Sequence, residues 1–221
     1  MLKRLFRMMG VATLTLALNI PLTANAASDI SLPTVEIGKG MSVTTALNGR
    51  RSTREFSSKA LTNKQLSKIF WAANGYNRPE TGGRVNPAAH GEYIIDVYAI
   101  MADGIYLYSP KGHQLILVAS GDFREYASKH PGFARTAPLN LVYVENTVQL
   151  KESPHKSDPV KQSRYVGVAA GTMAQSVALV LESEGLGGCV RGSGDNDNFR
   201  KVAQLNDDQE ILLAQTIGAI K

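Results

Sequence analysis

The sequence RRSTREF, at residues 50–56, follows a short helical pattern, MSVTTALNG, at residues 41–49. Its three guanidinium groups lie within five residues and repel one another, so a folded protein that orders them usually supplies an anion. We therefore interpret the segment as a phosphate clamp in which a serine hydroxyl adds a hydrogen bond. The candidate ligands are Arg50, Arg51, Ser52 and Arg54. A solvated basic turn, partly neutralised by Glu55, is the alternative interpretation.

The helical patterns on either side of this segment have clear start and stop signals. The first predicted helix ends near Gly49, which we expect in the left-handed conformation that glycine tolerates. The second begins after Thr62, where Gln65 completes a capping box, and its apolar face ends before Gly75. We expect a long loop at residues 77–91 because Pro, Gly, Asn and Arg are frequent there.

The rest of the sequence alternates between strand and helix patterns. Runs rich in β-branched and aromatic residues predict strands, and apolar residues at helical spacing predict one long central helix. The predicted elements are strands at residues 93–101, 104–108, 114–118, 139–144 and 211–220, a strand beginning at Cys189, a central helix between residues 158 and 184, and a helix at 199–205. This order indicates an α+β sandwich with a mixed or antiparallel sheet flanked by helices.

The N-terminal residues have the pattern of a secretory signal. A basic start precedes an apolar stretch at residues 8–20, and Ala24-Asn25-Ala26 has the small residues of a cleavage site. We therefore expect a signal peptide at residues 1–26, a polar leader at 27–40 and one domain at 41–221. The expected product is exported, with the periplasm as its destination, and has no stable membrane span once the signal is removed.

Composition argues against several other classes of protein. The formal net charge is +5, but three of the basic residues lie in the predicted signal, so the small surplus does not favour nucleic-acid binding. The single cysteine, Cys189, cannot form an internal disulfide. The four histidines lack the spacing of a zinc site, and the sequence has no dinucleotide-binding or nucleophile-elbow motif. We therefore predict no metal site and no nucleic-acid partner.

Further segments complete a resemblance to a known family. RRSTREF is similar to the N-terminal flavin-binding signature of the nitroreductase family, in which an Arg-x-Ser-x-Arg/Lys pattern holds FMN. Four more segments resemble that family in the same order: WAANGYNR at 71–78, RVNPAAHGEYIIDVYAI at 84–100, SEGLGGCVRG at 183–192 and LLAQTIGAIK at 212–221. The resemblance runs from about Met41 to Lys221 and is to the short variants related to thiazole and oxazole oxidases.

The resemblance implies a two-fold homodimer with one FMN at each subunit interface. It implies that Arg50, Ser52 and Arg54 contact the ribityl phosphate and the pyrimidine edge, and that the backbone of residues 184–186 lies near flavin N5. Backbone N–H groups there would stabilise the reduced ring without blocking hydride approach. The full set of expected cofactor-binding residues is Arg50, Arg51, Ser52, Arg54, Asn74, Pro87, Ala88, Ala89, Glu184, Gly185, Leu186, Gly187, Arg191 and Lys221.

Two features of that set depart from the family pattern. Ala88, Gly91 and Tyr93 stand where the flavin-facing loop of the family commonly has polar side chains. Lys221 corresponds to a basic residue near the phosphate but is the last residue of the sequence, and Arg191 is an alternative phosphate partner. The loop therefore predicts fewer side-chain hydrogen bonds to the ring or substrate than the family pattern has.

The implied function is an oxidoreductase that moves hydride or electrons through flavin N5, to or from a small organic substrate, with NAD(P)H or another electron donor as partner. The alternative is a dehydrogenase or oxidase acting on a reduced heterocycle, which export favours because free NAD(P)H is not expected outside the cytoplasm. A flavin- or small-molecule-binding module without turnover is the third hypothesis. We assign no catalytic residue, because the cofactor carries the chemistry.

Overall fold

The computed structural model describes residues 27–38, 40–129, 132–150, 158–192 and 194–221, so the predicted signal peptide lies outside it. These residues form a seven-stranded sheet, a two-stranded ribbon and five α-helices. The strands are β1 (Ile30–Ser31), β2 (Tyr76–Arg78), β3 (Gly83–Arg84), β4 (Ile95–Ile100), β5 (Gly104–Ser109), β6 (Gln114–Ser120), β7 (Leu139–Asn146), β8 (Leu186–Arg191) and β9 (Gln209–Ala219). The helices are α1 (Val43–Gly49), α2 (Asn63–Asn74), α3 (Phe133–Thr136), α4 (Pro159–Ser183) and α5 (Asn196–Val202).

The large sheet has the order β1-β6-β5-β4-β7-β9-β8, and every neighbouring pair is antiparallel. Alternate residues of a strand point to opposite faces of the sheet. In β4, Val97 and Ala99 pack in the core with α2 and α4, whereas Tyr98 and Ile100 pack in the core with α3 and α5. The sheet is therefore covered on both faces, which confirms the predicted α+β sandwich.

The central helix α4 connects the core to the edge of the sheet. Asp158 caps its first turn, where its carboxylate accepts a hydrogen bond from the backbone N–H of Lys161 at 3.1 Å. The helix ends before Gly185, whose φ of +66° lies in the left-handed region. Glycine adopts this conformation without strain, so the chain can turn at once into β8.

Two predicted helix boundaries have opposite outcomes. The capping box of α2 is confirmed, because the backbone N–H of Gln65 donates to Thr62 Oγ1 and that of Thr62 donates to Gln65 Oε1. The left-handed cap predicted for Gly49 is wrong, since this residue is the last of α1 and has no positive φ. A Cβ at Gly49 would meet the carboxylate end of the Glu182 side chain, so glycine lets that side chain of α4 lie against α1.

Two elements near the C-terminus begin earlier than predicted, because of strand pairing in one case and helix capping in the other. The strand expected to begin at Cys189 begins at Leu186, because β8 already pairs with β9 at that residue. The helix expected at residues 199–205 is α5, which starts three residues earlier. Asp195 is its N-cap and accepts a hydrogen bond from the backbone N–H of Asn198. In both cases a backbone group forms a hydrogen bond that the spacing of apolar residues in the sequence does not predict.

Two segments predicted to be irregular contain regular structure. The expected loop at residues 77–91 includes part of the β2–β3 ribbon and a short 3₁₀ turn at Ala89–Gly91. The polar leader contributes β1, which pairs with β6. The leader is therefore part of the folded domain from Ile30 onward.

The apolar composition of α4 has a further consequence. By length and composition, residues Val160–Ser183 could cross a membrane, with a mean hydropathy of 1.3. One side of the helix packs Val166, Ala170 and Val177 in the core. An amphipathic core helix rich in Ala and Val has this composition without entering a membrane.

Candidate functional site

Backbone hydrogen bonds fix the arginine-rich segment beside β8. The N–H of Thr53 donates to the carbonyl of Gly188 at 2.9 Å, and the N–H of Ser57 donates to the carbonyl of Ala219 at 2.8 Å. A Cβ at Gly187 would lie 2.8 Å from Thr53 Cβ, closer than side chains pack. Glycine in β8 therefore lets the segment approach the sheet and hold its side chains in place.

This segment forms one wall of a cavity of about 620 Å³, here called the basic cavity. Ligand-binding cavities commonly have volumes of roughly 300–1,000 Å³. The lining residues are Arg50, Arg51, Ser52, Thr53, Arg54, Glu55, Gln175, Ala178, Leu181, Glu182, Leu186, Gly188, Val190, Gln215, Ile220 and Lys221. Four cationic side chains thus face two acidic ones, and apolar side chains from α4, β8 and the end of the chain form the rest of the wall.

The arginines of the basic cavity are free to bind an anion. Among the residues that the structure describes, no carboxylate oxygen lies within 4.0 Å of a guanidinium nitrogen of Arg50, Arg51 or Arg54. The side chain of Arg51 donates only to the carbonyl of Gly49, at 3.4 Å. Since unpaired guanidinium groups bind phosphate oxygens well, the donor set suits a dianionic phosphate.

The glycine turn after α4 lies next to the basic cavity. Leu186 lines the cavity, whereas Glu184, Gly185 and Gly187 flank this lining residue in the chain. The carboxylate of Glu184 forms an ion pair with Lys68 Nζ of α2 at 2.5 Å, which fixes the start of the turn. A Cβ at Gly185 would meet no atom within 4 Å, so the turn presents its backbone to open space.

The other predicted loop residues line a different, smaller cavity of about 40 Å³, here called the loop cavity. It contains the predicted residues Asn74, Pro87, Ala88 and Ala89. The remaining lining residues are Asn86, Glu92, Tyr93, Ile94, Ile95, Leu150, Gln162, Tyr165, Val166, Ala169 and Met173. The two cavities share no lining residue. Their lining residues on α4 are centred roughly 18 Å apart along the helix, at about 1.5 Å of rise per residue, and Met173 of one set is followed two residues later by Gln175 of the other.

Arg191 lies outside both cavities. Its guanidinium donates to Thr216 Oγ1 at 2.8 Å and to Asn140 Oδ1 at 3.1 Å. Burial lowers the pKa of Arg191 below its ordinary value. The structure thus gives this arginine two neutral partners within the domain.

Several lining residues of the basic cavity were missed by sequence analysis. Gln175 and Glu182 come from α4, and Gln215 comes from β9. Gln215 had a usable signal, because it is an amide within the apolar run LLAQTIGAI. Its side chain accepts from Tyr143 Oη at 2.8 Å and donates to the carbonyl of Ala174, so it also fastens α4 to the sheet.

Comparison with known families decides the identity of this fold and site. The model of the nitroreductase family matches residues 47–219. The chain belongs to the nitroreductase family. This finding confirms the predicted family and fold, the class of FMN-dependent oxidoreductases and FMN as the cofactor of that class.

Individual members of the nitroreductase family agree with this assignment. The crystal structure of a predicted nitroreductase from Ralstonia eutropha JMP134 is 38% identical, covers 88% of this chain and 90% of its own, and superposes with a TM-score of 0.80. A predicted nitroreductase from Methanocaldococcus jannaschii is 29% identical over 84% of this chain and 94% of its own length. A predicted nitroreductase from Desulfovibrio desulfuricans, solved in complex with FMN, is 15% identical, covers 80% of this chain and 86% of its own, and has a TM-score of 0.57. This last likeness concerns the fold.

Proposed function

We propose that this nitroreductase-family chain is an FMN-dependent enzyme that transfers hydride or electrons to or from a small organic substrate, with FMN in the basic cavity. The observation that supports it most is the set of unpaired arginines fixed beside β8. When bound, FMN supplies the centre that accepts and donates hydride. The chain supplies the binding site and its electrostatics.

The residues of the basic cavity suit the two ends of FMN. Arg50, Arg54 and Lys221 provide positive charge for the phosphate, and the Ser52 hydroxyl provides a further hydrogen bond. Leu181, Leu186 and Ile220 provide an apolar wall for the ring system. The turn at Gly185 has no side chain that would block the ring, and its own N–H donates to the carbonyl of Glu182 at 3.2 Å.

We propose that two copies of the chain pair through α1 and α4. Of the ten large apolar side chains exposed in the described ranges, three lie on or next to α1, three lie on α4 and two line the basic cavity. Val168 on α4 is 67% exposed. A Cβ at Gly167 or Gly171 would meet no atom within 4 Å, so these glycines leave room for the close approach of a second helix. Exposed apolar side chains concentrated on two helices favour an interface there.

Pairing of this kind would unite the two cavities. In a two-fold dimer with antiparallel α4 helices, the N-terminal half of one α4 faces the C-terminal half of the other. The loop cavity of one protomer would then lie against the basic cavity of its partner. We propose that each flavin site combines the arginines of one protomer with the loop at residues 87–93 of the other.

We further propose that the enzyme acts after export. The basic and apolar pattern of residues 1–26 supports this localisation. An electron donor other than free NAD(P)H fits such a compartment, although NAD(P)H reduction is the simpler reaction to test. Fusion of residues 1–40 to a periplasm-specific reporter tests export: activity of the reporter supports it, and a reporter retained inside the cell contradicts it.

The proposed activity is tested on residues 27–221 loaded with FMN. The protein should retain FMN through gel filtration and show a flavin spectrum. Anaerobic addition of NADPH, or of dithionite if NADPH fails, should bleach the flavin, and a nitroaromatic or quinone acceptor should restore its colour. Retention of FMN without any reoxidation by such acceptors would instead support the non-catalytic binding module. Failure to retain FMN would contradict the proposal.

A further inference from the structure

A third cavity, of about 520 Å³, lies between the end of α2, strand β2 and the turn that joins β5 to β6, and is here called the aromatic cavity. Its walls include the rings of Trp71, Tyr76 and Tyr108, together with two prolines. It shares no lining residue with the basic cavity or the loop cavity. The residues assigned to flavin binding therefore do not account for it.

Hydrogen bonds hold the aromatic walls in fixed positions. The indole N–H of Trp71 donates to the carbonyl of Tyr76 at 2.9 Å. The hydroxyl of Tyr108 bonds to His113 Nδ1 at 2.9 Å, and His113 Nε2 bonds to Ser67 Oγ at 2.8 Å. Flat rings fixed in this way bind a planar ligand at a small entropic cost.

The charge around the aromatic cavity has one sign. Lys111 lines it, and within the described part of the chain no acidic side chain does. Lys111 also has no carboxylate within 4.0 Å among those residues. An anionic group is therefore the charged group that this cavity favours.

Arg84 adds an unusual second cation behind Tyr76. Its guanidinium carbon lies 5.3 Å from the ring centre of Tyr76 and 4.9 Å from that of Tyr93, so the cation is held by aromatic faces. Its Nε is buried and has no hydrogen-bond partner. Arg84 does not itself line the aromatic cavity, so what it adds there is positive charge behind the Tyr76 ring.

The charge of Arg84 reaches the cavity wall. Burial raises the pKa of the Tyr108 hydroxyl, and the nearby Arg84 guanidinium lowers it. The positive charge of Arg84 therefore acts on Tyr76 and Tyr108, and Lys111 adds a second positive charge to the cavity.

We propose that the aromatic cavity binds a planar aromatic anion, whose ring lies against Trp71 and Tyr76 and whose negative group lies toward Lys111, with the charge of Arg84 behind the Tyr76 ring. The rings select a flat apolar body, and the two cations select the charge. The site is separate from the proposed flavin site and does not depend on it.

Trp71 is the single tryptophan of the chain, so its fluorescence reports directly on this cavity. The experiment titrates residues 27–221, with excess FMN present, with anthraquinone-2-sulfonate and with the neutral 2-(hydroxymethyl)anthraquinone. Lys111→Gln and Arg84→Gln test the two cations. Arg84→Lys keeps the charge, and Lys201→Gln makes the same charge change on α5. Circular dichroism and thermal melting check the fold of each variant.

The sulfonate should quench Trp71 saturably and bind about tenfold more tightly than the neutral compound. Lys111→Gln, which removes the charge that lines the cavity, should weaken the sulfonate about fivefold, and Arg84→Gln, which removes a charge behind the Tyr76 ring, about threefold. Arg84→Lys and Lys201→Gln should stay within twofold. Absence of saturable quenching, equal affinity for the neutral compound, or an equal loss in Lys201→Gln would overturn the proposal. If Arg84→Gln does not fold, Lys111→Gln still tests the proposal.

Discussion

The basic cavity and the loop cavity lie against the same helix and differ in what they offer a ligand. The basic cavity has a large volume and four cationic side chains. The loop cavity is small, and none of its lining residues within the described ranges is basic. The basic cavity thus offers a ligand positive charge, and the loop cavity offers it a narrow space beside the loop at residues 87–93. The difference is what the proposed pairing requires, in which each cavity is half of a site that a second copy of the chain completes.

The largest effect is expected from removing charge in the basic cavity. The double substitution Arg50→Ala/Arg54→Ala should raise the Kd for FMN at least about a hundredfold, because each charge-assisted hydrogen bond contributes about 1.5–3 kcal/mol. Flavin fluorescence titration measures this change. Arg135→Gln, which removes an exposed arginine paired with Glu125, is the control. An unchanged FMN affinity in the double variant would show that phosphate binds elsewhere.

A second large effect is expected at the interface that joins the two cavities. Val168→Asp places a charge on the exposed apolar face of α4 in both protomers. It should raise the dimer Kd about a hundredfold, which corresponds to about 1.4 kcal/mol from each copy. Analytical ultracentrifugation measures the dimer, and Ile37→Asp, on an exposed residue of the leader, is the control. A Val168→Asp dimer as stable as the wild type would place the interface on another face.

The position of the arginine-rich segment can be tested without changing its charge. Gly187→Val puts a side chain against Thr53 and Ile220. It should push the segment from β8, weaken FMN binding about tenfold and cost about 1–3 kcal/mol of unfolding free energy. Gly192→Ala is the matched control, because a Cβ there meets no atom within 4 Å. Equal FMN affinity in Gly187→Val, measured by the same titration, would mean that the backbone contact does not position the arginines.

The smallest effect is expected at the β1–β6 edge of the sheet, far from β8 in the strand order. Burial lowers the pKa of His113 below its ordinary value of 6.5. Its contribution to stability is therefore present above pH 6.5 and lost as the pH falls through the lowered pKa. His113→Asn keeps a residue that tolerates the local φ of +45°. The decrease in Tm between about pH 7 and about pH 5 should be smaller in this variant, with FMN affinity unchanged. An identical decrease in Tm would show that His113 does not contribute to the pH dependence of stability.

Local chemistry explains which parts of the fold could be predicted from sequence. The capping box at Thr62 and the central helix were predictable because capping and periodicity depend on neighbours in the chain. The role of Gly49 was not, since it depends on a side chain of α4 that comes close only in the folded protein. The start of β8 was not predictable either, because pairing with β9 decides it.

The residues of the candidate site also differ in how far the sequence could predict them. The arginine segment stood out from its charge, and Gln215 had a weak signal as an amide in an apolar strand. Glu182 had none, because its place in the basic cavity depends on how α4 rotates against α1. Asn74 and Ala88 were predicted together with the arginines, and the structure places them in the loop cavity of the same protomer. The resemblance implies one site for all of these residues, and the proposed pairing would bring the two cavities together.

Co-expression of two differently tagged variants tests this division most directly. One chain carries Arg50→Ala/Arg54→Ala and the other carries Ala88→Trp, which fills the loop cavity. If each flavin site combines the arginines of one protomer with the loop of the other, the purified heterodimer has one site with both defects and one site with none. We predict one FMN per heterodimer, and none in either variant homodimer. No FMN in the heterodimer would contradict the account, because it would place each site within a single chain.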